Sequence, residues 1–415
     1  MHIAWIGKKS PPCGNVTYGR EITNMLLDRG YLVSFLHFSD EEEAANCVVP
    51  EPMSECKEVS LPFLYKSQVY TIPTLRSSKI LAQSLEALQP DVVHASLTLS
   101  PLDFMLPEIC QEIGVPLVAT FHPPFSHKHL SLSAGTQHFM YQLYAPSLAN
   151  YSAVIVFSIA QKELLIRLGV PPEILVVIPN GVDTTKYSPG PSGVKAEFGA
   201  EHLFVYQGRI ALEKNVESLL KAWRQANMPK DAKLLLMGDG PLRNGLMATF
   251  ATDANIIWLG AIADEYRRIE ILRGADIFIL PSFVEGLSLS LLEGMACGLA
   301  CLATDAGADG EVLEGGAGMV LNPQRAKGEL QTLLPMLIDH PEIIKILGQK
   351  ARQRVLERYD LAQNLKQLEQ FYSELFQRPL PPIRSKARSG TSMFKTEISR
   401  QRLSETGHGQ YKRYS

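Results

Sequence analysis

The sequence has little cysteine and none of it is grouped. Six cysteines are scattered over 415 residues with no C-x-x-C pair, and Cys297 and Cys301 have no matching Cys or His pair elsewhere. That pattern excludes a disulfide framework and a structural zinc site, and the thiols read as reduced. No apolar run reaches the length of a membrane span. The opening stretch MHIAWIGKKS has no long apolar h-region, so no signal peptide is expected. The expectation is a cytoplasmic chain that meets a membrane only peripherally. A net charge of −3 gives no general nucleic-acid signal. The charge is uneven, however. From Arg378 onward nine basic residues face only Glu397 and Glu405. This tail, with its prolines, glycines and serines and little apolar periodicity, is expected to be disordered. It could touch anionic lipid or serve only to solubilise.

What is present is a regular alternation. Short apolar runs read as strands at 2–7, 32–38, 59–65, 69–72, 91–95, 116–121, 153–157 and 174–178, with helices at 18–29 and 76–88 and further helical stretches between the later runs. Turn residues cluster in Asn180–Ser192, and the alternation restarts with strands at 203–207, 233–237, 255–259, 276–280, 300–304 and 318–321. Strands alternating with helices imply parallel α/β sheets. The expected architecture is therefore two doubly wound, Rossmann-like domains, 1–185 and 186–377, with 378–415 as the tail. Ligands are expected in the cleft outside the carboxyl ends of the strands.

The stretch Ser282–Gly298, SFVEGLSLSLLEGMACG, follows the apolar run 275–281 and reads as strand, glycine turn and helix. Ser288 and Ser290 suit the N-cap. A new helix start offers backbone N–H groups and a positive dipole end to phosphate. Glu285 and Glu293 frame it, and carboxylates beside a phosphate site suit the hydroxyls of a ribose or a hexose. Upstream, Arg209 follows the strand at 203–207 and Lys214 precedes the next helix. A planar fork and a point charge together oppose a diphosphate. Gly238-Asp239-Gly240 begins like a dinucleotide fingerprint, but Arg243 stands where the third glycine is needed. Glu41-Glu42-Glu43 and His127-Lys128-His129 read as solvated loops.

The E-x7-E spacing of Glu285 and Glu293, with R-x4-K at Arg209 and Lys214, resembles the retaining, GT-B-type glycosyltransferases of family four. The resemblance covers about residues 1–376. It implies that Glu285 contacts the donor sugar and Glu293 the ribose. Arg209 and Lys214 would take the pyrophosphate, and the backbone of Gly286, Leu287, Ser288 and Leu289 the phosphate and sugar. His122, in TFHPP, resembles the family's histidine near the reacting sugar. Gly14 resembles a donor-phosphate glycine, although Asn15 stands where the family has a second one. Asp305-Ala306-Gly307 and Gly310-Glu311 resemble a further family loop. No D-x-D is present, which fits a transferase that needs no metal and no cofactor.

The opening KKSPPCGNVTYGRE and FVEGLSLSLLEGMACG also look similar to cyanobacterial-type synthases that add galactose to monogalactosyldiacylglycerol. That implies a UDP-galactose donor and a glycolipid acceptor at a membrane surface. Basic residues for such a surface would be Lys8, Lys9, Lys66, Arg76, Lys79, Lys128 and the tail. Two other readings stay open: a nucleotide-sugar epimerase or hydrolase on the same fold, and a non-catalytic sugar-phosphate-binding protein.

Overall fold

A computed structural model describes residues 1–10, 13–39, 57–67, 70–97, 99–125 and 132–376. Glu41–Glu43, the cluster at 127–129 and the basic tail lie outside the described residues. The first domain carries β1 (His2–Gly7), β2 (Leu32–Phe38), β3 (Lys57–Leu61), the hairpin β4 (Phe63–Lys66) and β5 (Thr71–Pro73), then β6 (Val92–Ser96), β7 (Leu117–Thr120), β8 (Ala153–Val156) and β9 (Leu175–Val177). Apart from the antiparallel hairpin these form one seven-stranded sheet, β3-β2-β1-β6-β7-β8-β9, and the pairings are parallel. The second domain holds β10 (His202–Gln207), β11 (Ala232–Met237), β12 (Ile256–Gly260), β13 (Ile277–Leu280), β14 (Ala300–Thr304) and β15 (Met319–Leu321), ordered β12-β11-β10-β13-β14-β15, again parallel. The expected two-domain α/β architecture is what the chain adopts.

Helices cover both faces of each sheet, so the central strands are apolar on both sides and read as continuous apolar runs. Ile3, Ala4, Trp5 and Ile6 of β1 are all buried. Strand order reverses beside β1 and beside β10, where the neighbours β6 and β13 are not consecutive with them. A crevice opens at such switch points.

Three local expectations change. The first helix begins at Gly14, not Tyr18. Its first turn is polar and lacks periodicity, yet Asn15 is fixed there by hydrogen bonds to Leu97 and Ser96. The stretch taken as irregular up to Glu58 already contains β3, and the run 59–65 divides at Pro62 into β3 and β4. Pro62 has no N–H to continue a ladder.

The last helix, Leu361–Leu375, lies within the range read as the second domain but packs on the first. Leu365, Leu368, Phe371 and Tyr372 join Ile3, Trp5, Val33 and Val118 in one core. The chain crosses between domains twice, side by side. Val182 donates to the Tyr359 carbonyl at 2.9 Å, and Leu361 donates to the Val182 carbonyl at 3.1 Å. Inside the core His94 is fully buried, stacked on Trp5 at 4.1 Å. It is hydrogen-bonded to Tyr372 through Nδ1 and to Thr120 through Nε2. Burial, with His122 nearby, pushes its pKa down to about 3, so the ring is neutral and needs both partners.

Tyr372→Phe removes one of them without changing shape. It should destabilise the protein by about 1–3 kcal/mol, the cost of an orphaned buried polar group. Urea denaturation measures this, and an unchanged midpoint would contradict the role given to His94.

Candidate active site

A cleft of about 700 Å³ lies between the two domains. The first domain contributes Cys13, Gly14, Thr17 and Arg20 at the start of its first helix. The crossing segment supplies Asp183, Lys186 and Tyr187. The second domain supplies Gln207, Arg209, Lys214, Gly238, Arg268, Leu289 and Glu293. The floor is made where loops after neighbouring strands meet. Gly238 (φ +148°) sits so close to the Gly208 carbonyl that a Cβ would lie 1.8 Å from its oxygen, so only glycine fits.

Gly14, Arg209, Lys214, Leu289 and Glu293 are thus brought together as the sequence implied. Glu285, Gly286, Leu287, Ser288 and His122 do not line the cleft. Glu285 is reached through Lys214, whose Nζ donates to Glu285 Oε1 at 2.6 Å. Ser282 Oγ donates to the same oxygen at 2.7 Å. The Glu285 side chain is only 8% exposed, so the ion pair is well shielded. Burial opposes charge on Lys214, but Glu285 outweighs it and raises the ammonium's pKa.

A third ionisable group beside the pair was not anticipated. Asp309 is buried, and its Oδ1 accepts the Ser288 N–H at 3.0 Å. Its Oδ2 has no hydrogen-bond partner. Burial, and then the nearby Glu285, push its carboxyl well above the ordinary range. Asp309 is thus a group beside the Lys214–Glu285 pair whose charged form is disfavoured. This corrects two expectations about the turn. Ser288 is the N-cap of the helix Leu289–Ala296 but makes no side-chain cap, because its hydroxyl pairs with Ser290. Its amide is also not free for phosphate, because Asp309 takes it. Gly307 (φ +59°) lets that loop approach, since a Cβ there would sit 2.1 Å from the Glu285 carbonyl.

Glu293 accepts from Gln207 Nε2 at 2.5 Å. Burial pushes its pKa up to about 7, with Gln207 and then Arg268 pulling the other way. Gln207 ends β10 one turn before Arg209, and nothing in the sequence marked it. Arg268 is held by the carbonyls of Ile262 and Ala263. Arg209 lines the cleft about half exposed, 3.8 Å from Glu213.

His122 lies just behind the cleft. Its Nε2 and Ser96 Oγ are 2.7 Å apart, and Ser96 donates its one hydrogen to Asn15 Oδ1 at 2.9 Å. Ser96 must then accept, so His122 carries its proton on Nε2. Burial, and Lys8 after it, lower its pKa to about 3. It is a neutral ring, wedged edge-on against Tyr18 and Phe157 at 5.0 and 5.1 Å. Asn15, the departure from paired glycines, is the end of this relay. Two contacts join the domains here. Phe125 N–H donates to the Glu285 carbonyl at 3.1 Å. The Glu311 carboxylate accepts from Ile159 N–H at 3.0 Å, capping the helix Ile159–Arg167. Among the described residues no group of three His, Cys, Asp or Glu is placed to hold a metal ion.

Two facing Rossmann-like domains with a cleft at their switch points make this a GT-B protein. The model of Glycosyltransferase Family 4 matches residues 14–186, and that of Glycosyl transferases group 1 matches residues 201–339. The chain is therefore similar to these glycosyltransferases in both domains. It is 25% identical over 232 residues to the Escherichia coli UDP-Gal:alpha-D-GlcNAc-diphosphoundecaprenol alpha-1,3-galactosyltransferase, covering 52% of this chain and 58% of that protein. It is 26% identical over 308 residues to the Arabidopsis thaliana sulfoquinovosyl transferase SQD2, covering 69% of this chain and 57% of that one. The chain spans a little over half the length of these relatives. The fold matches Anabaena Alr3699/HepE, solved in complex with UDP-glucose, with a TM-score of 0.72 at 19% identity over 90% of this chain and all of that one.

Two outcomes follow from the site. A carboxyl whose pKa rises from 4.5 to about 7 on folding holds its proton more tightly when folded, so its contribution to stability fades as pH rises through that window. Glu293→Gln should remove up to about 3 kcal/mol of that pH dependence. Identical stability–pH slopes for the two proteins between those values would contradict it. Lys214→Ala leaves a shielded carboxylate unpaired and should destabilise by about 3 kcal/mol. Adding Glu285→Gln should recover most of that loss, as read by urea denaturation.

Proposed function

We propose that the chain transfers a hexose from a nucleoside diphosphate sugar to a lipid-linked hydroxyl acceptor, with retention of configuration. The observation that carries this is Arg209 and Lys214 entering the cleft from one strand end, with Glu293 across from them on the helix Leu289–Ala296. Two cations of different shape fit a diphosphate. A half-protonated carboxyl fits a ribose diol, to which it can both donate and accept. The UDP-sugar and lipid-linked substrates in the relatives' names support the same donor and acceptor classes. The specific pair we propose is UDP-galactose and monogalactosyldiacylglycerol, giving digalactosyldiacylglycerol, at a membrane surface.

The chemistry needs no group beyond these. Lys214 exchanges part of its contact with Glu285 for the diphosphate, and Arg209 closes on the other side. Glu285, so loosened, accepts from the sugar hydroxyls. The bond from the anomeric carbon to the departing phosphate oxygen breaks while the acceptor oxygen bonds on the same face. The acceptor's proton passes to the phosphate oxygen that leaves. His122, neutral with Nε2 engaged, shapes the acceptor side and carries no charge into the reaction.

Labelled UDP-sugars incubated with and without lipid test the function. Transfer to lipid is expected. Acceptor-independent turnover would indicate an epimerase or hydrolase, and binding without turnover a non-catalytic protein. Activity should survive EDTA, and strict dependence on added Mg²⁺ or Mn²⁺ would overturn the metal-free reading.

The two carboxylates separate by role. Ribose contacts exist equally in ground and transition states, so Glu293→Gln should mainly raise the donor KM. Charge develops at the anomeric carbon, so Glu285→Gln should mainly lower kcat, by about a hundredfold. The opposite pattern in steady-state kinetics would reverse the two roles.

A further inference from the structure

The hairpin β4–β5 and the chain after it form an exposed apolar face that the cleft chemistry does not use. Leu75 is 100% exposed and Leu64 73%. Tyr65, Tyr70 and Ile72 are exposed beside them, and the two tyrosine rings stand 5.5 Å apart. Single exposed leucines need no explanation, but five such side chains on one small element do. The element is anchored, not loose. Lys66 donates to Ser10 at 2.8 Å and sits over the Phe63 ring. Ser77 donates to the Pro62 carbonyl at 2.6 Å, and Thr71 N–H to the Leu99 carbonyl at 3.4 Å. Ser10 and Leu99 belong to the loops after β1 and β6, and the first of these leads directly to Cys13 and Gly14 of the cleft. The face is therefore tied to the loop that leads into the cleft.

Its charge has one sign. From Val59 to Leu85 there is no Asp or Glu, while Lys66, Arg76 and Lys79 fall inside the run. Arg76 and Lys79 are exposed next to Leu75. Exposed leucine and tyrosine flanked by cations is the composition of an interfacial anchor.

We propose that this face docks the protein on a bilayer bearing anionic headgroups. Leu64 and Leu75 enter the acyl boundary, the tyrosines lie at headgroup level, and Arg76 and Lys79 meet the lipid charge. A second copy of the chain fits less well, because a two-fold contact would set Arg76 and Lys79 against like charge with no carboxylate in the run to answer them. The proposal deepens the lipid-acceptor reading by placing the acceptor's surface against an element tied to the loop that leads into the cleft, but its test does not require catalysis.

The full chain is mixed with phosphatidylcholine vesicles with and without about a third phosphatidylglycerol, and pelleted. Because the basic tail also attracts anionic lipid, the decisive comparison is with the full-length Leu64→Ser/Leu75→Ser variant. Two lost leucine insertions should lower partitioning by about tenfold or more. In Leu75→Trp, indole emission should shift to the blue when the anionic vesicles are added. UDP binding should be unchanged in both variants, which shows that the fold is intact. Wild-type partitioning of the double-serine variant would overturn the proposal. So would a wild-type dimer that the same substitutions disperse, which would assign the face to self-association. Failure of the wild type to bind UDP would remove the donor reading and leave this one standing.

Discussion

The ion pair between Lys214 and Glu285 holds two loops from different strands at one point, and much of the cleft is arranged around it. Lys214 comes from the loop after β10 and Glu285 from the turn after β13. Switch-point topology makes β10 and β13 neighbours although three helices and two strands separate them in sequence. A buried pair of this kind contributes modestly by itself, yet breaking it leaves one charge stranded. The surroundings answer that constraint. Ser282 supplies a second donor to Glu285, and burial, with Glu285 nearby, disfavours a second negative charge on Asp309. Phe125 then ties the first domain to the Glu285 carbonyl. Local electrostatics and domain contact are fixed by the same few residues.

Much of this was legible in the sequence, and for a physical reason. Parallel strands covered on both faces must be apolar throughout, so β1, β2, β10 and β14 stand out with bounds within a residue of those observed. Arg209, Lys214 and Glu293 were legible because their positions relative to strand ends decide what they can reach. The residues that escaped notice act through tertiary contact. Asp309 looks like a loop acid until the backbone folds it beneath Ser288. Gln207 looks like the last residue of a strand. Tyr372 looks like one more apolar position on an amphipathic helix, and only the folded core, with its hydroxyl against His94, shows that the helix belongs to the first sheet. Ser288 shows the reverse error, since good capping chemistry was present but a carboxylate from elsewhere took the amide.

The two domains bring different physical settings to the cleft. On the second domain's side Glu293 and Lys214 are shielded, where charge interactions are strong and titration is shifted. On the first domain's side His122 is locked neutral in a relay through Ser96 to Asn15, and the hairpin elsewhere on that domain exposes apolar and basic side chains. The contrast is the one that the proposed transfer from a water-soluble donor to a lipid-presented acceptor would use.

The central claim is that the cleft recognises a diphosphate through Arg209 and Lys214. Calorimetric titration of the full chain with UDP and with UMP tests it most directly. Each charge-assisted contact to the second phosphate should count, so UDP is expected to bind about a hundredfold more tightly than UMP. Equal affinities would show that the cations do not hold the diphosphate and would contradict the account.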